Sequence, residues 1–144
     1  MEQLKSEYQL YPIIGKYLMD EHYDVAYNVP VGRFHPRIFD IVGINDKKIV
    51  SIEVKLNNFK KTLDQAITRL YYSDNVFVAF PESYVSRVEK KYLPDLKKMG
   101  IGLISVNQKV VLKLKPHQSI YLNSNRKRNL FAKVKDILNK QECE

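Results

Sequence analysis

Apolar and polar positions alternate along this chain with two different periods. Over residues 3–21, Leu4, Tyr8, Tyr11, Ile14 and Leu18 recur at three- and four-residue spacing, which predicts a helix with one apolar face. Glu7 lies on that same stripe, and Pro12 and Gly15 work against a straight helix. YDVAYNVPV (23–31) predicts a strand limited by Pro30. GRFHPRIFDIVGI (32–44) enters a second strand, with Phe39 and Ile41 on one face and Ile38, Asp40 and Val42 on the other. Asn45-Asp46-Lys47-Lys48 is turn chemistry, so the third strand, KIVSIEVKL (48–56), closes a β-hairpin over 37–56. A helix is predicted over 59–74 from Phe59, Leu63, Ala66, Ile67 and Leu70, and VFVAF (76–80) has the composition of a strand buried on both faces. Residues 82–100 predict a helix in two pieces around Pro94, closing at Gly100. A second hairpin is expected over 101–114, and a last helix near 126–140 capped by Ser124 or Asn125. The strand–helix–strand crossover at 49–80 implies an α/β fold, a central mixed β-sheet flanked by helices in the order αβββαβ, followed by a C-terminal β-hairpin and helix.

One stretch does not suit its place. IVSIEVKL (49–56) reads as a core strand, yet it carries Glu53 and Lys55 two residues apart, on one face by strand alternation. If Ile44 pairs with Ile49, Asp40 stands opposite Glu53, with Cβ atoms roughly 5 Å apart. A shorter loop would leave them diagonal neighbours. Asp40, Glu53, Lys55 and Glu7 then converge. Carboxylate oxygens at one point are the ligand set of a hard divalent cation, and without a cation two such carboxylates repel. A lysine beside them bears on a water molecule or a phosphate oxygen. These parts suit metal-assisted hydrolysis of a phosphodiester.

Asp40 followed by a turn and Glu53-Val54-Lys55 resembles the PD-(D/E)xK nuclease superfamily, and RIFDIVGINDKKIVSIEVK (37–55) is similar to the matching stretch of archaeal Holliday junction resolvases and RecB-like nucleases. The resemblance covers roughly residues 3–80 and treats 81–144 as an elaboration of a single domain spanning 1–144. It implies a restriction-endonuclease-like core and a Mg²⁺-dependent DNA endonuclease, with Mn²⁺ as a substitute. It also implies metal ligation by Asp40 and Glu53, a role for Lys55 at the attacking water and transition state, and an acid from the first helix at Glu7. Gln65 stands where several subfamilies place a glutamine, and Arg69 stands four residues on, where RecB-like members often carry tyrosine. The alternative is the same fold without catalysis, used as a DNA-binding module.

Charge points to the same partner. The net charge is +8 and the pI about 9.5, which favours a polyanion such as DNA. Residues 113–144 hold eight Lys or Arg against three acids, a net of +5. Arg33 and Arg37 either reach a backbone phosphate or pair with a nearby acid. Lys60 and Lys61 either contact phosphates or are solvated residues of a first helical turn. Arg126-Lys127-Arg128 is either a DNA-binding edge or a solvated face. Glu7 has a second reading as a first-turn acid favouring the helix dipole, and Gln65 as a surface amide. The lone cysteine, Cys143, excludes an internal disulfide and a cysteine-based zinc site. No apolar run approaches the roughly 20 residues that span a bilayer, and the N-terminus lacks a signal-peptide pattern, so no membrane association and a cytoplasmic location are expected. Many nucleases of this kind act as a homodimer, but no residue pattern marks a dimer surface.

Overall fold

The computed structural model describes residues 6–142, so Leu4 and Cys143 lie outside the described residues. The elements run α1 (Glu7–Asp20), β1 (Asp24–Val31), β2 (Arg37–Asn45), β3 (Lys48–Val54), α2 (Phe59–Arg69), β4 (Asn75–Pro81), α3 (Glu82–Met99), β5 (Gly102–Val106), β6 (Val110–Leu114) and α4 (Ser124–Glu142). All six strands form one mixed sheet in sequential order. Pairing is antiparallel across β1–β2–β3 and β5–β6, and parallel across β3–β4–β5. This is the expected α/β class, with helices on both faces.

Helix α1 covers one face. Leu10, Tyr11, Ile14 and Leu18 pack there with Ile41, Val50, Ile52, Val54, Phe77 and Ala79. On the other face α2 and α3 cover β4 and β5 through Phe59, Ala66, Val78, Phe80, Val88 and Leu96, while α4 covers β1 and β2 through Leu130 and Val134. Strand β4 serves both faces, as its unbroken apolar composition requires.

Several expectations are corrected. Tyr8 is 73% exposed and Leu10 takes its place in the stripe. Helix α1 runs unbroken through Pro12 and Gly15, and α3 is a single helix through Pro94. Both prolines are exposed, so the carbonyl left without a donor one turn earlier is within reach of water. Gly15 is needed for space: a Cβ there would lie 1.8 Å from the Tyr27 hydroxyl. Helix α2 ends at Arg69 rather than 74, because Asp74 is drawn out to β3: its N–H donates to the Ile49 carbonyl (2.9 Å) and its Oδ2 accepts from the Ile49 N–H (2.8 Å). Helix α4 is capped by Asn123, whose Oδ1 accepts from the Arg126 N–H at 3.0 Å, rather than by Ser124 or Asn125.

Candidate active site

The hairpin register is the one that sets Asp40 against Glu53. Ile44 pairs with Ile49, and Asn45 with Lys48, so the turn is only Asp46-Lys47, with Asp46 in the left-handed region at φ 47. The ladder stops at Ile41 and Ile52. One step further, the backbone donors turn to side chains. The Asp40 N–H donates to Glu53 Oε2 (3.4 Å), and the Val54 N–H donates to Asp40 Oδ2 (2.8 Å). The β1–β2 pairing skips the same level: Asn28, which the register sets opposite Asp40, has φ 52 and accepts from the Tyr11 hydroxyl (3.4 Å). Strand alternation fails here too. Phe39 packs with Val42 on the α4 side and Ile41 on the α1 side, so Phe39 and Ile41 do not share a face. With the ladder ended, the Phe39 ring lies under the Arg69 guanidinium, 4.2 Å from it, and edge-on to Tyr72.

Glu53 is 1% exposed, and its buried charge has a partner that charge patterning along the chain did not reveal. Arg69 Nη2 donates to Glu53 Oε1 (3.1 Å) and to the Ile38 carbonyl (3.0 Å), and Nη1 donates to Thr68 Oγ1 (2.9 Å). Arg69 Nε is buried without a hydrogen-bond partner. Burial pushes the Glu53 carboxyl up to about 7, the Asp40 charge adds to this, and Arg69 opposes it. Asp40 is also raised by burial, against the lowering effects of the Val54 N–H, Lys55, the Tyr11 hydroxyl and Arg69. Burial, followed by the charge of Asp40, drives the Tyr11 hydroxyl well above its ordinary value, so Tyr11 stays neutral beside the carboxylates.

Arg37, Ile38, Asp40, Lys55, Gln65 and Arg69 line a cleft of about 610 Å³, together with Lys61, Asp64 and Thr68. The α2 residues among them follow helical spacing and form one face. Asp40, Lys55, Gln65, Arg37 and Lys61 are thus brought together. Glu7 is not in the lining; it reaches the site through Lys55, whose Nζ lies 3.8 Å from Glu7 Oε1. Glu53 and Lys55 therefore part company, one pairing with α2 and the other with α1. Arg33 and Lys60 are exposed outside the lining. Arg126, Lys127 and Arg128 are not at this site. Lys127 and Arg128 border a groove with Asp46 and Lys47, at the other end of the hairpin, about 20 Å of strand from Asp40. Lys127 is held by Asp74 at 2.9 Å.

Among the described residues, no group of three or more His, Cys, Asp or Glu is arranged to hold a metal ion. Asp40 lines the cleft, whereas Glu53 lies behind it, outside the lining, with Oε1 held by Arg69 and Oε2 by the Asp40 N–H; together they offer two hard carboxylate ligands. That set fits Mg²⁺, which keeps several waters and takes one or two carboxylates plus a substrate phosphate. Both carboxyls are raised, chiefly by burial. Arg69 and Tyr11 are the site residues that the sequence pattern passed over. The signal for Arg69 was its place four residues after Gln65, on the same helical face.

No protein-family model matches the sequence, and a search of curated proteins finds no similar sequence. A solved structure of a protein of unknown function from Silicibacter pomeroyi, SPO1766, is similar with a TM-score of 0.70 and 17% identity over 96% of this chain and 89% of that one. At that identity the likeness concerns the fold alone. No helix among the described residues is long and apolar enough to cross a membrane.

Proposed function

We propose that this protein is a Mg²⁺-dependent DNA endonuclease with a restriction-endonuclease-like core formed by α1 to β4. The observation that carries the reading is Asp40 at the splayed end of the β2–β3 ladder, lining a cleft with Lys55, Arg37 and Lys61, with Glu53 buried directly behind it and accepting from the Asp40 N–H. A bound Mg²⁺ supplies Lewis-acid activation of a phosphoryl oxygen and a water of lowered pKa. Asp40 and Glu53 would hold it. Lys55, kept near Asp40 by Glu7, is placed to orient the attacking water and to offset charge on the phosphate. Arg37 on β2 and Lys61 on α2 take the flanking backbone phosphates. Gln65 provides an amide to the same cleft.

One observation favours the second reading, a DNA-binding module without hydrolysis: Arg69 already compensates Glu53, so the carboxylate pair is not wholly dependent on a cation. Cleavage of supercoiled, linear and branched DNA with Mg²⁺, beside calorimetric titration of Mn²⁺, separates the two. The nuclease reading expects cleavage and metal binding, both lost in Asp40→Ala and Glu53→Ala. Cleavage that survives both substitutions refutes the assignment of the site. DNA binding without Mn²⁺ binding or cleavage establishes the binding module.

A further inference from the structure

The arm that leads into the cleft has a feature that the carboxylate site does not use. Residues 25–39 contain no acid, while Arg33 and Arg37 are both cationic. The β1–β2 ladder closes at Val31 and Arg37, leaving residues 32–36 as the connection. Gly32 opens that connection at φ +113, a backbone conformation that a side chain would strain. At the apex Phe34 is 87% exposed. Neither Arg33 nor Arg37 enters an ion pair among the described residues. A lone exposed apolar residue is ordinary. A phenylalanine on a closed turn between two unpaired arginines is a different arrangement. It stands three residues from Arg37 in the cleft wall, a reach of at most about 11 Å. Pro30 on the edge strand β1 removes a donor, which disfavours strand addition by a protein partner.

We propose that the β1–β2 turn is a stacking wedge for nucleic acid, in which Phe34 stacks on an unpaired base and Arg33 and Arg37 hold the phosphates on either side. The inference rests on the nucleic-acid reading of the adjoining cleft and narrows it. The substrate class becomes DNA with unstacked bases beside the cut, whether single-stranded, flapped or branched, in preference to continuous duplex.

The test uses the full chain without divalent metal. Fluorescence anisotropy follows labelled single-stranded, flapped and continuous duplex DNA over a salt series, and 2-aminopurine in the unpaired segment reports stacking. Phe34→Ala should weaken binding of the single-stranded and flapped DNA about ten-fold or more and leave duplex binding unchanged. Phe34→Trp should retain tight binding and quench 2-aminopurine. Arg33→Ala and Arg37→Ala should each lower the salt slope by about 0.7 on single strands, which Phe34→Ala should not. Equal losses on duplex and unpaired DNA, an unquenched 2-aminopurine, or no DNA binding by the unaltered protein at low salt would overturn the wedge. With Mg²⁺ added, stacking without cleavage overturns the nuclease reading alone. Cleavage of flapped DNA unaffected by Phe34→Ala overturns the wedge alone.

Discussion

Removing the Arg69 guanidinium should cost stability in a way that depends on pH and is repaired by a divalent cation. Arg69→Met keeps an apolar side chain of similar reach and removes the guanidinium, and with it the contact 4.2 Å over the Phe39 ring and the hydrogen bond to Thr68 Oγ1. Two further interactions are lost. The Ile38 carbonyl loses a donor, worth about 1 kcal/mol at any pH. Glu53, 1% exposed, loses its counter-charge, and breaking such a buried pair costs about 3 kcal/mol or more when the acid is ionised. Ionisation sets the window. The folded-state value of Glu53 lies at about 7, above the ordinary 4.5. A raised acid contributes stability that is fully present below its unfolded value and is lost as pH rises through the folded one. At pH 5 Glu53 is mostly neutral and Arg69 attracts little, so the variant should lose only the contacts that do not depend on the Glu53 charge, about 2 kcal/mol. At pH 8 the variant can leave Glu53 protonated, so with a folded value of about 7 the further loss is limited to about 1–2 kcal/mol and the total to about 3–4 kcal/mol. Urea unfolding at both pH values measures this. Adding Mn²⁺ at pH 8 should raise the midpoint more in Arg69→Met than in the unaltered protein, since the cation replaces the missing charge. A loss equal at pH 5 and pH 8 would refute the argument, because the Arg69–Glu53 attraction would then not be what the substitution removes.

Three further outcomes are expected. In the unaltered protein without metal, stability should fall between pH 5 and pH 8 by up to about 3 kcal/mol from Glu53, and Glu53→Gln should flatten that slope in urea titrations. Asp74 is opposed by burial but held below its ordinary value by the Ile49 N–H, Lys127 and Gln118, so it contributes stability present above its unfolded value and lost as pH falls below about 4. Asp74→Ala should therefore cost about 2–3 kcal/mol at pH 7 and remove part of the acid limb seen by circular dichroism. Gly102→Ala should destabilise by about 1–3 kcal/mol in thermal melts, because its Cβ would lie 2.6 Å from the Phe77 ring and 2.9 Å from the Leu114 carbonyl oxygen.

Sequence by itself determined the elements. Periodicity is a local property, so α1, the β2–β3 hairpin, the buried strand β4 and the closing helix α4 were legible within a residue or a few at each end. Turn chemistry at 45–48 located the hairpin but left two registers open; the pairing of Ile44 with Ile49, which sets Asp40 against Glu53, was decided by the fold. Strand alternation then carried the reading too far. It put Phe39 and Ile41 on one face, whereas they pack on opposite faces. Alternation holds only while the ladder holds, and here the ladder ends one residue before Asp40. Beyond that point packing decides: Glu53 turns to Arg69 on α2 and Lys55 to Glu7 on α1. The continuity of the helices through Pro12 and Pro94 also followed from tertiary placement, since only the finished fold shows which side of a helix faces water. Arg69 is the clearest case. A buried cation must be matched to a buried anion in space, and its partner lies 16 residues away on another element. A desolvated charge answers to what surrounds it, and no one-dimensional pattern contains that.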